Sequence, residues 1–98
     1  MAAGAEQSRF VAALVEAFSR QRAAPDGCGA VVLGARVLVG EDDDFGIAVT
    51  YRNGRTGQVV EDEISSVRLA MAAFGIEDAA GLASLWRVEL DEQVLAEE

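Results

Sequence analysis

Apolar positions recur at helical spacing near the start of the chain and alternate with small or polar residues in its middle. Residues 5–24 carry one apolar stripe with a period of about 3.6 and are predicted to be helical. The stripe consists of Phe10, Val11, Leu14, Val15 and Phe18. Pro25 and Gly27 follow and are expected to end the helix, because proline disfavours helix in the preceding residue.

Alternation predicts three strands, over residues 30–39, 45–51 and 56–61. In the first two strands the odd-numbered positions are the more apolar and are expected to face the core. These positions are Val31, Leu33, Ala35, Val37, Val39, Phe45, Ile47, Val49 and Tyr51.

The dipeptide Asn53-Gly54 predicts a tight hairpin, because both residues tolerate the positive φ of a type I′ turn. A two-residue loop there places Ile47 opposite Val60. Closing the first two strands over the acidic loop between them places Val37 opposite Ile47. Both registers gather the odd positions on one face, so we predict a three-stranded antiparallel meander.

Two helices are predicted after the strands. Residues 63–74 carry an apolar stripe, with Asp62 as N-cap and Gly75 at the C-terminal end. Residues 78–96 fit a helix capped by Asp78, although the stretch WRVEL within them also fits a strand. Composition favours the helix. The prediction is a single α+β domain over residues 1–98, of order α-β-β-β-α-α, with helices on the odd face.

Composition narrows the possible functions. The chain has 98 residues and a net charge of −9; its eight basic residues are all arginine, and it has no histidine. Such acidity disfavours direct nucleic-acid binding and favours a basic protein partner. The chain shows no apolar run of about 20 residues, no signal sequence and one cysteine, Cys28, so we expect a cytoplasmic protein without membrane contact.

The residues for catalysis and metal binding are largely missing. Without histidine or lysine, the usual general base near neutral pH is absent and Cys28 has no histidine to activate it. An EF-hand loop starting at Glu41 places Phe45 at position 5 and Arg52 at position 12, where oxygen ligands are needed. We therefore expect no enzyme, no cofactor and no dedicated metal site.

Two acidic clusters, residues 41–44 and 61–63, are candidate docking surfaces for a basic partner. The second has a local explanation as the cap of a helix, and the first has none. The hairpin register places Asp44 opposite Glu63 and brings both clusters to one end of the sheet. A solvated turn remains the alternative. The candidate partner-binding residues are Glu41, Asp42, Asp43, Asp44, Glu61 and Glu63.

The even face of the sheet is unusually small and partly apolar. Its positions are Gly34, Arg36, Leu38, Gly46, Ala48, Thr50, Gly57 and Val59. Glycines in strands can mark close approach of another backbone. Either the C-terminal helix covers this face, or it is a homodimer or partner interface whose candidate residues are Gly34, Arg36, Ala48, Thr50 and Gly57.

In size, charge and element order, though in no motif, the chain resembles small acidic phage inhibitors, such as anti-CRISPR proteins, and toxin-immunity proteins. The resemblance implies an inhibitor or adaptor that presents carboxylates to a basic nucleic-acid-binding protein, as DNA mimics do. The alternative hypothesis is a homodimeric chaperone or assembly protein that uses the glycine-lined sheet face.

Overall fold

The computed structural model describes residues 2–21, 29–38 and 44–96, with side chains of the first helix from Glu6 onward. Three antiparallel strands form one sheet in the order β1-β2-β3. The elements are α1 (Ala2–Arg20), β1 (Ala30–Leu38), β2 (Gly46–Asn53), β3 (Val59–Ile64), α2 (Val67–Phe74) and α3 (Ala79–Ala96). The predicted α+β class and order are confirmed.

The core lies between the sheet and the helices α1 and α3. Leu14 and Phe18 of α1 are buried, as the stripe predicted, and the Phe18 ring meets Trp86 edge-on at 6.0 Å. The rest of the core comes mainly from Ile47, Val49, Tyr51, Leu82, Leu90 and Val94. We call the sheet face that carries Ile47, Val49 and Tyr51 the inner face.

The β1–β2 register is confirmed over one half of β1 and wrong over the other. Val37 pairs with Ile47, as predicted. A bulge between Val32 and Gly34 then shifts the pairing by one residue, and Val32 pairs with Tyr51. A one-residue shift exchanges the two faces, so Val31 and Leu33 are exposed where burial was predicted. Val39 lies outside the described residues.

The predicted two-residue turn at Asn53-Gly54 is wrong. The Asn53 N–H donates to the Gln58 carbonyl at 2.8 Å, so residues 54–57 form a wider loop. The buried Asn53 side chain organises this loop by accepting from the N–H groups of Arg55 and Thr56. Ile47 consequently pairs with Ile64 instead of Val60. The shift is an even number of residues and preserves the predicted faces.

The wider loop moves β3 toward the C-terminus and shortens α2. The N-cap of α2 is Ser66, whose hydroxyl accepts from the Leu69 N–H, so the prediction of Asp62 as cap is wrong. The predicted C-terminal end is confirmed, with Gly75 in the left-handed region at φ 66°. Asp78 caps α3 as predicted, accepting from the Gly81 N–H at 2.8 Å.

Candidate protein-binding surface

The outer face of the sheet is the face opposite the core. Both long helices contribute their buried residues to the core on the inner face, as predicted for the odd face, so the alternative in which the C-terminal helix covers the even face is excluded. The backbone pairing arranges the outer face in three rows. They are Val31–Arg52–Val59, Gly34–Thr50–Glu61 and Arg36–Ala48–Glu63.

Charges occupy one half of the outer face. The Arg36 guanidinium donates to both carboxylate oxygens of Glu61, at 3.0 and 3.3 Å. This hydrogen bond, together with the charges of Glu61 and Glu63, raises the pKa of Arg36 above its ordinary value. Glu63 is exposed, whereas Ala48, between Arg36 and Glu63 in its row, is fully buried.

Exposed aliphatic side chains occupy the other half. Val31, Leu33 and Val59 are 37%, 54% and 56% exposed. Val31 and Val59 flank Arg52 in the first row, and Leu33 is the extra residue of the bulge. Beside them, a Cβ added at Gly34 would meet no atom within 4 Å. A cluster of exposed apolar groups rimmed by charged residues is typical of protein interaction surfaces. A single exposed aliphatic side chain occurs on most protein surfaces and indicates no interaction.

Asp44 has a local structural role that sequence reasoning missed. Its carboxylate accepts from the Phe45 N–H at 2.9 Å, the Ser66 hydroxyl and the Arg68 N–H at 3.4 Å, and so joins the start of β2 to the start of α2. The hydrogen bond from Ser66 lowers the pKa of Asp44. The sequence did hold one clue to this role. Ser66, the partner of Asp44, stands directly before the apolar run VRLAMAAF, where a helix N-cap is expected.

The structure tests only part of the predicted acidic cluster. Glu63 pairs with Ala48, so the predicted register opposite Asp44 is wrong. Glu61 and Glu63 do share the outer face. Glu41, Asp42, Asp43 and Cys28 lie outside the described residues. Gly57 lies in the hairpin loop at φ 77°, beyond the three rows, whereas Gly34, Arg36, Ala48 and Thr50 lie within them.

Asp62 belongs to the inner side. Its carboxylate accepts from the Trp86 indole N–H at 2.6 Å and from the Gln93 side-chain amide at 3.4 Å. Gln93 in turn accepts from the Tyr51 hydroxyl at 2.9 Å. Neighbouring acids of the sequence EDE therefore divide between the two faces, because side chains alternate along a strand.

Arg87 is a buried cation that sequence reasoning also missed. It donates to the carbonyl of Ala30 and, at 3.1 Å, to that of Phe18, near the end of α1. Its guanidinium lies 5.5 Å from the centre of the Phe18 ring. These contacts join α1, β1 and α3 and satisfy carbonyls at a helix end, so Arg87 has a structural role.

An apolar groove lies between α1 and α2. Its volume is about 470 Å³, and it is lined by Phe10, Phe45, Val67 and Met71 together with Asp44 and Arg68. The carboxylate of Asp44 is already bound to Ser66. Within residues 2–21, 29–38 and 44–96, no cluster of three His, Cys, Asp or Glu residues could hold a metal ion.

Among the described helices, none is by itself long and apolar enough to cross a membrane. The pair α2 and α3 reaches that length and apolarity only when combined across a bend of 85°.

Comparison with known proteins assigns no family to this chain. No protein-family model matches it, and no curated protein or solved structure matches it. Its function has to be inferred from its surfaces.

Proposed function

We propose that the protein is a non-enzymatic protein-binding module and that the outer face of the sheet is its binding surface. The observation that supports this is the placement of both long helices on the inner face. It leaves exposed aliphatic residues and the Arg36–Glu61 ion pair together on the outer face. Flat sheet faces of this kind are bound by protein surfaces more readily than by small molecules, which favour enclosed clefts.

The first candidate is an inhibitor or adaptor that docks on a basic protein partner in the cytoplasm. Glu61 and Glu63 on the outer face would supply carboxylates, and the sequence adds Glu41, Asp42 and Asp43, which lie outside the described residues. The net charge of −9 supports this candidate, since an acidic protein attracts basic partners over distances beyond direct contact.

This candidate is tested with two charge-matched variants. Glu61→Gln/Glu63→Gln neutralises two exposed acids of the outer face, and Glu89→Gln/Glu92→Gln neutralises the same number of exposed acids on α3. Each variant is used to purify partners from the native host over a salt series. The expected result is a basic partner that salt releases and that only the first variant loses. Equal retention by both variants would contradict the candidate.

The second candidate is a homodimeric chaperone or assembly protein that uses the same face. A specific observation favours it: the described outer face carries the positive charges Arg36 and Arg52 and the negative charges Glu61 and Glu63. A face with balanced charges can complement a second copy of itself. The acidic partner model instead relies on the excess charge of the whole chain.

A further inference from the structure

We propose that the outer face binds the outer face of a second copy, with a two-fold axis parallel to β2. This inference rests on the second candidate function. Rotation about this axis does not change a residue's position along the strand direction, so each row lies over the same row of the partner. The rotation reverses the order of the strands. Residues of β1 then lie over residues of the partner's β3, and the interface is the same surface on both copies.

The charged row is complementary under this symmetry. Arg36 lies over the partner's Glu63, and Glu63 lies over the partner's Arg36. Arg36 keeps its own Glu61 as well, so each guanidinium lies between two carboxylates. Ala48 occupies the middle of the row and lies over its own copy. Ala48 is fully buried in the single chain, so the charged side chains on either side of it make the contact in this row.

The apolar row matches in the same way. Val31 lies over the partner's Val59, and both side chains are exposed in the single chain. Gly34 in the middle row leaves space for the partner's Glu61. Arg52 is the one unfavourable element, because it lies on the axis and faces its own copy. Neutralising Arg52 is therefore expected to strengthen the dimer.

The other in-plane axis, perpendicular to the strands, is disfavoured. It would exchange the two ends of the face and place the charged row against the apolar row. Arg36 and Glu63 would then lose water without gaining a partner, which is costly. Complementarity therefore selects the axis parallel to β2.

The proposed interface is small, and its small area predicts weak binding between the two copies. Three strands about 4.8 Å apart and roughly eight residues long at about 3.3 Å per residue give a footprint on the order of 400 Å². Stable interfaces bury about 800 Å² on each partner. We expect a weak, reversible dimer with a dissociation constant in the micromolar range or above, further weakened by salt.

The test mixes two charge-reversed variants, Arg36→Glu and Glu63→Arg, in sedimentation equilibrium from about 10 µM to 1 mM, a range chosen to bracket a weak complex. Wild type is expected to dimerise. Each variant alone presents like charges at both contacts and is expected to be monomeric. The equimolar mixture restores both opposite-charge contacts and is expected to form a heterodimer.

Two further variants test whether a loss of dimerisation comes from a general change of charge or from unfolding instead of from the outer face. Glu89→Arg changes charge by the same amount on α3 and is expected to dimerise like wild type. A Cβ added at Gly34 would meet no atom within 4 Å in the single chain, so we expect Gly34→Gln to keep the fold while its longer side chain obstructs the partner. It is expected to be folded by circular dichroism and monomeric.

The outcomes separate this inference from the proposed function. Wild type that stays monomeric at the highest concentration overturns the dimer, and a salt-sensitive basic partner captured by that monomer would leave the first candidate in place. Wild type that dimerises while the mixture does not associate overturns the two-fold geometry. A Gly34→Gln variant that dimerises like wild type also overturns it.

Discussion

The two faces of one sheet differ in almost every physical property. On the inner face, Ile47, Val49 and Tyr51 are buried against the helices, and Asp62 completes a hydrogen-bonded group with Trp86. On the outer face, Arg36 and Glu61 form an exposed pair beside exposed aliphatics. The inner face therefore carries the packed core, whereas the outer face presents charged and aliphatic side chains to the surface.

Trp86→Ala is expected to show the largest effect, because it empties the centre of the inner face. Removing a fully buried tryptophan costs about 3–5 kcal/mol and here also removes the hydrogen bond to Asp62. Urea unfolding measures the loss. Val88→Ala, at an exposed position of the same helix, is the control and should change the free energy of unfolding by less than about 0.5 kcal/mol.

Gly46→Ala and Gly34→Ala compare a closed and an open position on the sheet. A Cβ at Gly46 would lie 2.6 Å from the Ile64 carbonyl oxygen, a backbone atom that cannot turn away. We expect a destabilisation of about 1–3 kcal/mol for Gly46→Ala. Gly34→Ala meets nothing and should not destabilise the chain. Equal unfolding midpoints for the two variants would refute the distinction.

Asp62→Ala and Glu63→Ala compare adjacent acids on opposite faces. Asp62→Ala leaves the Trp86 indole N–H without its acceptor, at a cost of about 1–3 kcal/mol. Glu63→Ala removes an exposed carboxylate and should be close to neutral for stability. Thermal unfolding of both variants measures the difference, and a larger loss for Glu63→Ala would reverse the assignment of faces.

Asp44 gives a smaller, pH-dependent effect. Its pKa is lower in the folded chain than in the unfolded chain, where an aspartate titrates near about 3.9. Its stabilisation is therefore present above that value and is lost as pH falls through the folded pKa. Urea unfolding between about pH 2 and 7 should show a steeper acid loss for wild type than for Asp44→Asn. Identical slopes would exclude this role.

The sequence predicted the elements whose signals are local. A helical stripe identified α1, composition favoured a helix for α3, Asp78 identified the start of α3, and Gly75 identified the end of α2. The alternation of apolar and small or polar residues along each strand predicted which side chains share a face over most of the sheet. These predictions succeeded because periodicity and capping depend on residues a few positions apart.

The errors have non-local causes. Asn53 uses its side chain to organise a wider loop than the one that Asn-Gly signals, and its burial depends on the whole fold. Asp62 is an acceptor for Trp86, which is distant in sequence, so the strand continues through a position that resembled a helix cap. The bulge after Val32 has no clear sequence signal beyond the adjacent Gly34.

The candidate surface was only partly predictable. The small residues Gly34, Ala48 and Thr50 were correctly assigned to one face. The exposed aliphatic half was missed at Val31 and Leu33, because the bulge reverses their side. The pairing of Arg36 with Glu61 requires the observed β2–β3 register, which the turn prediction did not provide.

The most direct test of the outer face as the binding surface is a concentration series of backbone amide NMR spectra. We expect shifts that grow with concentration at Gly34, Thr50 and Glu63, and none at the exposed α3 residue Glu89. Shifts confined to the helices, with the outer face unchanged while the protein associates, would contradict this expectation.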